Sequence, residues 1–95
     1  MNQEWAYTYL SASGKVSIVK TQIDKIIVTP NGSNASYADF YDGEGTNDPQ
    51  VARLRVPTTE SIVFDFGEDF VLARGVYISF ETNLSSVMVK WRPVK

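Results

Sequence analysis

No cysteine and no histidine occur in this 95-residue chain. Disulfides are therefore excluded, and so are the zinc sites that draw on those two residues. The commonest general base, the commonest metal ligand and the best nucleophile go with them. Long apolar runs are missing as well: no stretch approaches the roughly 20 residues of a membrane-spanning helix. Neither sign of charge dominates. Nine Lys and Arg against eleven Asp and Glu give a net charge of -2. They are scattered, with no basic stripe for nucleic acid and no polybasic patch for a membrane surface. The opening Met1-Asn2-Gln3-Glu4-Trp5 lacks the basic start and apolar run of a secretion signal. The expectation is a protein made and used in a cytoplasm, or in a particle assembled there.

What the chain does have is aromatic area, 13% of its residues. Its length fits a single domain spanning residues 1–95. Without a covalent or metal staple, such a domain depends on good packing or on self-association.

Alternation with period two runs through the sequence, and helical periodicity is absent. A first strand reads from Trp5 to Leu10, ended by the turn Ser11-Ala12-Ser13-Gly14. A second covers Val16 to Val19, and the segment from Lys20 to Asp24 reads as a bend or bulge. A third runs from Lys25 to Val28 and stops at the turn-rich Pro30-Asn31-Gly32-Ser33-Asn34. The fourth, Tyr37 to Tyr41, leads into the longest polar loop, from Asp42 to Pro49. Ala52 to Val56, Ile62 to Phe66, Val76 to Glu81 and Val87 to Trp91 supply four more, with Phe70-Val71-Leu72 short and extended. Short strands with turn signals about every ten residues predict an all-β fold. The expected form is a two-sheet antiparallel β-sandwich, jelly-roll-like, of about eight strands. Alternation means that one face of each sheet is buried and the other wet. The expected core is Ile26, Val28, Phe40, Leu54, Ile62, Phe64, Ile78, Phe80, Val87, Val89 and Trp91, with Phe66 also facing inward.

Candidate chemistry is sparse. Asp39, Asp42, Glu44, Asp48, Asp65, Glu68 and Asp69 are the carboxylates from which an acid–base pair could be drawn. Asp42, Glu44 and Asp48 share one Gly-rich loop, but the spacing fails the EF-hand pattern and its terminal bidentate Glu is missing. The loop reads as a solvated hairpin connection, with no metal and no cofactor expected. Gly43 and Gly45 form a lone GxG without a following helix, which argues against a nucleotide site. Arg53 and Arg55 project from one strand face, either into cross-strand charge pairs with residues such as Asp39 and Asp65 or toward a partner. Trp5, Tyr7 and Tyr9 form a one-faced aromatic stripe. It could pack on its own domain, anchor a protein interface or bind a sugar. Outward Tyr37 and Tyr41 are further candidates for a sugar site.

Several short segments carry a likeness. They are Tyr7-Thr8-Tyr9-Leu10-Ser11-Ala12-Ser13-Gly14, Val19-Lys20-Thr21, Ile26-Ile27-Val28-Thr29 and Phe40-Tyr41-Asp42-Gly43. Later come Phe64-Asp65-Phe66, Arg74-Gly75-Val76-Tyr77-Ile78 and Val87-Met88-Val89-Lys90-Trp91. In this order they resemble small β-sandwich accessory proteins of tailed-bacteriophage virions. The resemblance implies a non-enzymatic structural part of the virion. It would be a capsid cement or decoration protein bound to the major capsid protein, or a tail, connector or fibre-associated domain. It also implies a homo-oligomer, with a trimer favoured because shells offer threefold sites. One departure is Gln22-Ile23-Asp24, where many of those proteins have a Gly-rich step. The expected contact surface is the N-terminal strand with Trp5, Tyr7 and Tyr9, and after it Arg53, Arg55 and the loop from Asp42 to Pro49.

Overall fold

The computed structural model describes residues 4–67 and 69–94. Nine strands follow in chain order: β1 (Ala6–Leu10), β2 (Gly14–Ser17), β3 (Thr21–Pro30), β4 (Ser36–Tyr41), β5 (Gln50–Val56), β6 (Ile62–Asp65), β7 (Val71–Leu72), β8 (Val76–Phe80) and β9 (Leu84–Pro93). No helix occurs among the described residues. One sheet has the order β1-β9-β3-β6, with β7 also on β3, and the other the order β2-β8-β4-β5. All ladders are antiparallel. Most links between consecutive strands cross from one sheet to the other, and each path holds four strands. That is the wrapping of a jelly roll, with β7 as a short extra strand before β8.

The core lies between the sheets. Rows set by register cross the five-stranded sheet on its inner side, such as Thr8, Val89, Ile26 and Phe64, and Leu10, Val87, Val28 and Ile62. They meet Ala38, Phe40, Leu54, Val76 and Ile78 from the other sheet. Seven of the expected core residues are buried; Ile62, Phe64, Phe66, Phe80 and Trp91 are half-buried and pack against them. Ile62 and Phe64 stay partly open because β6 is an edge strand. Ile23, Val56, Leu72 and Leu84 complete the interior.

Two local features shape β3. Its register on β9 shifts between Ile23 and Lys25. This bulge puts both Ile23 and Ile26 inside and turns Asp24 outward, as bulges re-aim side chains. The bend expected from Lys20 to Asp24 is thus partly strand, ending in a bulge. The second strand ends earlier than expected, at Ser17, and Ile18 and Val19 lie exposed on the bend. There the Ser17 and Thr21 hydroxyls lie 2.6 Å apart, and the Thr21 hydroxyl donates to the Val19 carbonyl at 2.6 Å. These hydroxyls satisfy the turn's backbone and break the ladder. Gly75 packs over the same bend. Its φ is +144°, and a Cβ there would lie 2.5 Å from the Ser17 carbonyl oxygen, so no larger residue fits without strain.

Candidate protein interface

The aromatics divide by chemistry. Phe40 is buried, and Phe64, Phe66, Phe70 and Phe80 pack against the core. The five tyrosines all take outward positions, Tyr7 and Tyr9 on β1, Tyr37 and Tyr41 on β4, and Tyr77 on β8. A buried phenol needs a hydrogen-bond partner, whereas a benzyl ring does not. Trp91 turns inward, and its indole N–H donates to the Thr8 hydroxyl at 2.9 Å.

The Trp5, Tyr7 and Tyr9 stripe lies on the outer face of the five-stranded sheet, not in the core. Tyr7 is 65% exposed and Tyr9 69%. Yet β1 itself belongs to the sandwich: it pairs with β9 along its whole length and sends Thr8 and Leu10 toward the interior. Deleting it would therefore remove part of the fold as well as the stripe.

Register places Tyr9 beside Met88, Met88 beside Ile27 and Ile27 beside Val63. An apolar row thus crosses four strands, about 15 Å at the usual strand spacing. On one side runs a charged row of Tyr7, Lys90, Lys25 and Asp65. On the other lie Thr29 and Ser61, joined by a 2.7 Å hydroxyl–hydroxyl bond, with Ser86 paired to Thr29 but buried. An apolar centre inside a polar rim is the usual anatomy of a protein interface.

The charged row is held in place. The Asp24 carboxylate accepts from Lys90 at 3.1 Å and Lys25 at 3.3 Å, and Asp65 lies 3.9 Å from Lys25. Burial pushes the Asp24 carboxyl up, but hydrogen bonds and charge from Lys90 and Lys25 outweigh it and leave it below its ordinary value. Trp5 lies against the same charges, with the Arg92 guanidinium 4.3 Å from its ring and Lys90 at 5.5 Å.

Arg53 and Arg55 lie on the opposite outer face, along the β5 edge of the four-stranded sheet. The structure does not bring them together with the stripe. Arg53 faces Asp39 across the ladder, donates to it at 2.7 and 3.1 Å, and stacks 3.9 Å from the Tyr37 ring. It thus makes the cross-strand pair that its position suggested. Arg55 is exposed and 5.9 Å from the same ring. Tyr41 and Tyr77 pair nearby, with ring centroids 6.2 Å apart.

In the loop after β4, the Asp42 and Asp48 carboxylates accept from the Arg74 and Glu44 backbone N–H groups, each at 2.8 Å. Glu44 pairs with Lys15 at 3.2 Å. Gly43 lies against Asp48, whose carboxylate fills the space that a Cβ would need. No group of three or more metal-ligating side chains gathers among the described residues. Glu68 lies outside the described residues.

Sequence reasoning missed Ile27, Val63 and Met88 as surface residues of interest. The signal was present: Ile26-Ile27-Val28, Ile62-Val63-Phe64 and Val87-Met88-Val89 each place an apolar residue where alternation calls for a polar one. Only the strand register shows that the three lie in one row with Tyr9. No protein-family model matches this chain, and searches of curated proteins and of solved structures return no match.

Proposed function

We propose that this chain is a structural protein of a phage particle, a cement or decoration protein that docks on the major capsid shell. It docks through the outer face of its five-stranded sheet. The observation that carries the reading is the apolar row of Tyr9, Met88, Ile27 and Val63, set between a charged row and a hydroxyl row. The work of such a protein is area burial between subunits, repeated over a shell so that weak contacts add by avidity. No catalysis is part of the proposal. Support also comes from the segments that resemble phage accessory proteins, and from the recurrence of jelly rolls in viral capsids, a fold-level analogy.

The test is mass spectrometry of purified particles with copy number. Hundreds of copies per particle support a place on the capsid. A few dozen or fewer place the chain in the tail or connector, and absence from particles removes the reading. A sugar-binding module is the reading from another class, favoured by the exposed Tyr7 and Tyr9 on one sheet and the half-buried Tyr41 and Tyr77 pair on the other. Saturable glycan binding lost on substituting Tyr7 and Tyr9, or Tyr41 and Tyr77, would support it.

A further inference from the structure

Each sheet ends in strands whose outer backbone groups face away from the ladder, and such edges pair with other chains unless blunted. Among the described residues five strands have a free edge, and four of them are blunted. β7, on the same side of β3 as β6, has only two residues. β2 has four residues, carries Lys15 and has a register shift. β5 carries Arg53 and Arg55, lies between Pro49 and Pro57, and starts beside a register shift. β6 has four residues and ends in Asp65. β1 differs on every count. Its five residues, Ala6-Tyr7-Thr8-Tyr9-Leu10, hold no charge and no proline, and its register on β9 is unbroken.

We propose that the free edge of β1 pairs with β1 of a second copy, antiparallel and about a two-fold axis at Thr8. The register follows from symmetry and length. Centring on Thr8 uses all five strand residues: Thr8 faces its own mate, Ala6 faces Leu10, and Tyr7 faces Tyr9. Any other register that keeps side chains on their proper faces slides strand residues out of the ladder, because a shift must be even. The Thr8-centred register also matches the side chains. Each Tyr7 meets a Tyr9 across the junction, a favourable cross-strand aromatic pair formed twice, and no like charges are opposed. A foreign strand would need its own complementary pattern, whereas this edge is complementary to itself. Among the described strands, pairing consumes the one unblunted edge of each copy, so the assembly closes at two and leaves only blunted edges outside. The four strands β6, β3, β9 and β1 of each copy then form one continuous sheet, with both outer faces on the same side.

The inference stands apart from the particle reading, and its test uses the isolated chain. Sedimentation equilibrium should show mass rising with concentration to twice the 10.6 kDa chain, with dimer prevailing at about 100 μM, as suits a small interface. Register is read with thiols, which the native chain lacks. Tyr7→Cys and Tyr9→Cys are exposed substitutions, each confirmed folded by circular dichroism. Under mild oxidation, a mixture of the two should cross-link to dimer, and neither alone should do so. A chain that stays monomeric at these concentrations overturns the proposal, and an edge reserved for another protein would give that result. A trimer overturns it too, since threefold symmetry needs contact between two different edges. Cross-linking by Tyr7→Cys alone also overturns it, because that requires another register.

Discussion

At the scale of single residues, the fold sorts side chains by what their polar atoms need. Phe40 is wholly enclosed and meets Phe66 and Phe70 edge-on, at centroid distances of 5.6 and 6.2 Å. Phe40→Ala should therefore cost about 3–5 kcal/mol, as large aromatic truncations in cores do. Phe64 was an equal candidate from alternation alone, but it sits half-buried on an edge strand. Phe64→Ala should cost clearly less than Phe40→Ala in the same denaturant titration; an equal loss would mean that the β6 edge is as enclosed as the sheet centre. Charge obeys a similar rule. Asp24 is held low against burial by Lys90 and Lys25. Glu81 is held low by the Ser36 hydroxyl and the Asn83 backbone N–H. A carboxyl whose folded pKa is depressed adds stability that is full above its unfolded pKa and is lost as pH falls through the folded one. The melting temperature should thus drop as pH falls through the carboxylate range, from about 5 downward. Asp24→Asn should flatten that dependence and lower the neutral-pH value, since Lys90 and Lys25 lose their shared acceptor.

At the scale of elements, the strands were legible because burial on one face imprints a period of two. Each strand expected from alternation is present. β3 and β9 run longer than their apolar cores, to ten residues each, because Thr21, Gln22 and Ser86 satisfy their backbone in ladders that composition does not mark. The early end of β2 was not legible, since Val16, Ile18 and Val19 read as strand while the Ser17 and Thr21 hydroxyls close the bend instead. Register between distant strands was the larger gap. Alternation fixes which residues share a face but not which strands lie side by side, and so the row through Tyr9, Met88, Ile27 and Val63 could not be assembled from sequence. The bend itself can be probed at Gly75. Gly75→Ala would force a Cβ against the Ser17 carbonyl in a backbone conformation that alanine resists. A loss of about 1–3 kcal/mol is expected, measured by chemical denaturation. A neutral result would show that the β2–β3 bend shifts without cost.

At the scale of the whole molecule, the two outer faces make opposite demands on substitution, and this separates docking from folding. Ile27 and Val63 lie next to each other on the outer side of the five-stranded sheet, with Val63 53% exposed. Exchanging both for Thr keeps β-branching and strand propensity while removing apolar character from the centre of the row. Val63 is exposed and Ile27 half-buried outside the core cluster, so the pair should cost about 1–2 kcal/mol and the domain should stay folded under the conditions of the binding assay. If that row seats the domain on a shell, the same double variant should lose retention on particles in a co-sedimentation assay. Arg55→Glu, on the far side of the sandwich, should bind as the native chain does. Arg53 is a poor control, because it is tied to Asp39 and stacked on Tyr37, and its removal would leave a buried carboxylate without its partner. The reverse pattern, binding lost with Arg55→Glu and kept with the Ile27 and Val63 pair, would move the docking surface to the four-stranded sheet. The apolar row would then be left without an assigned partner.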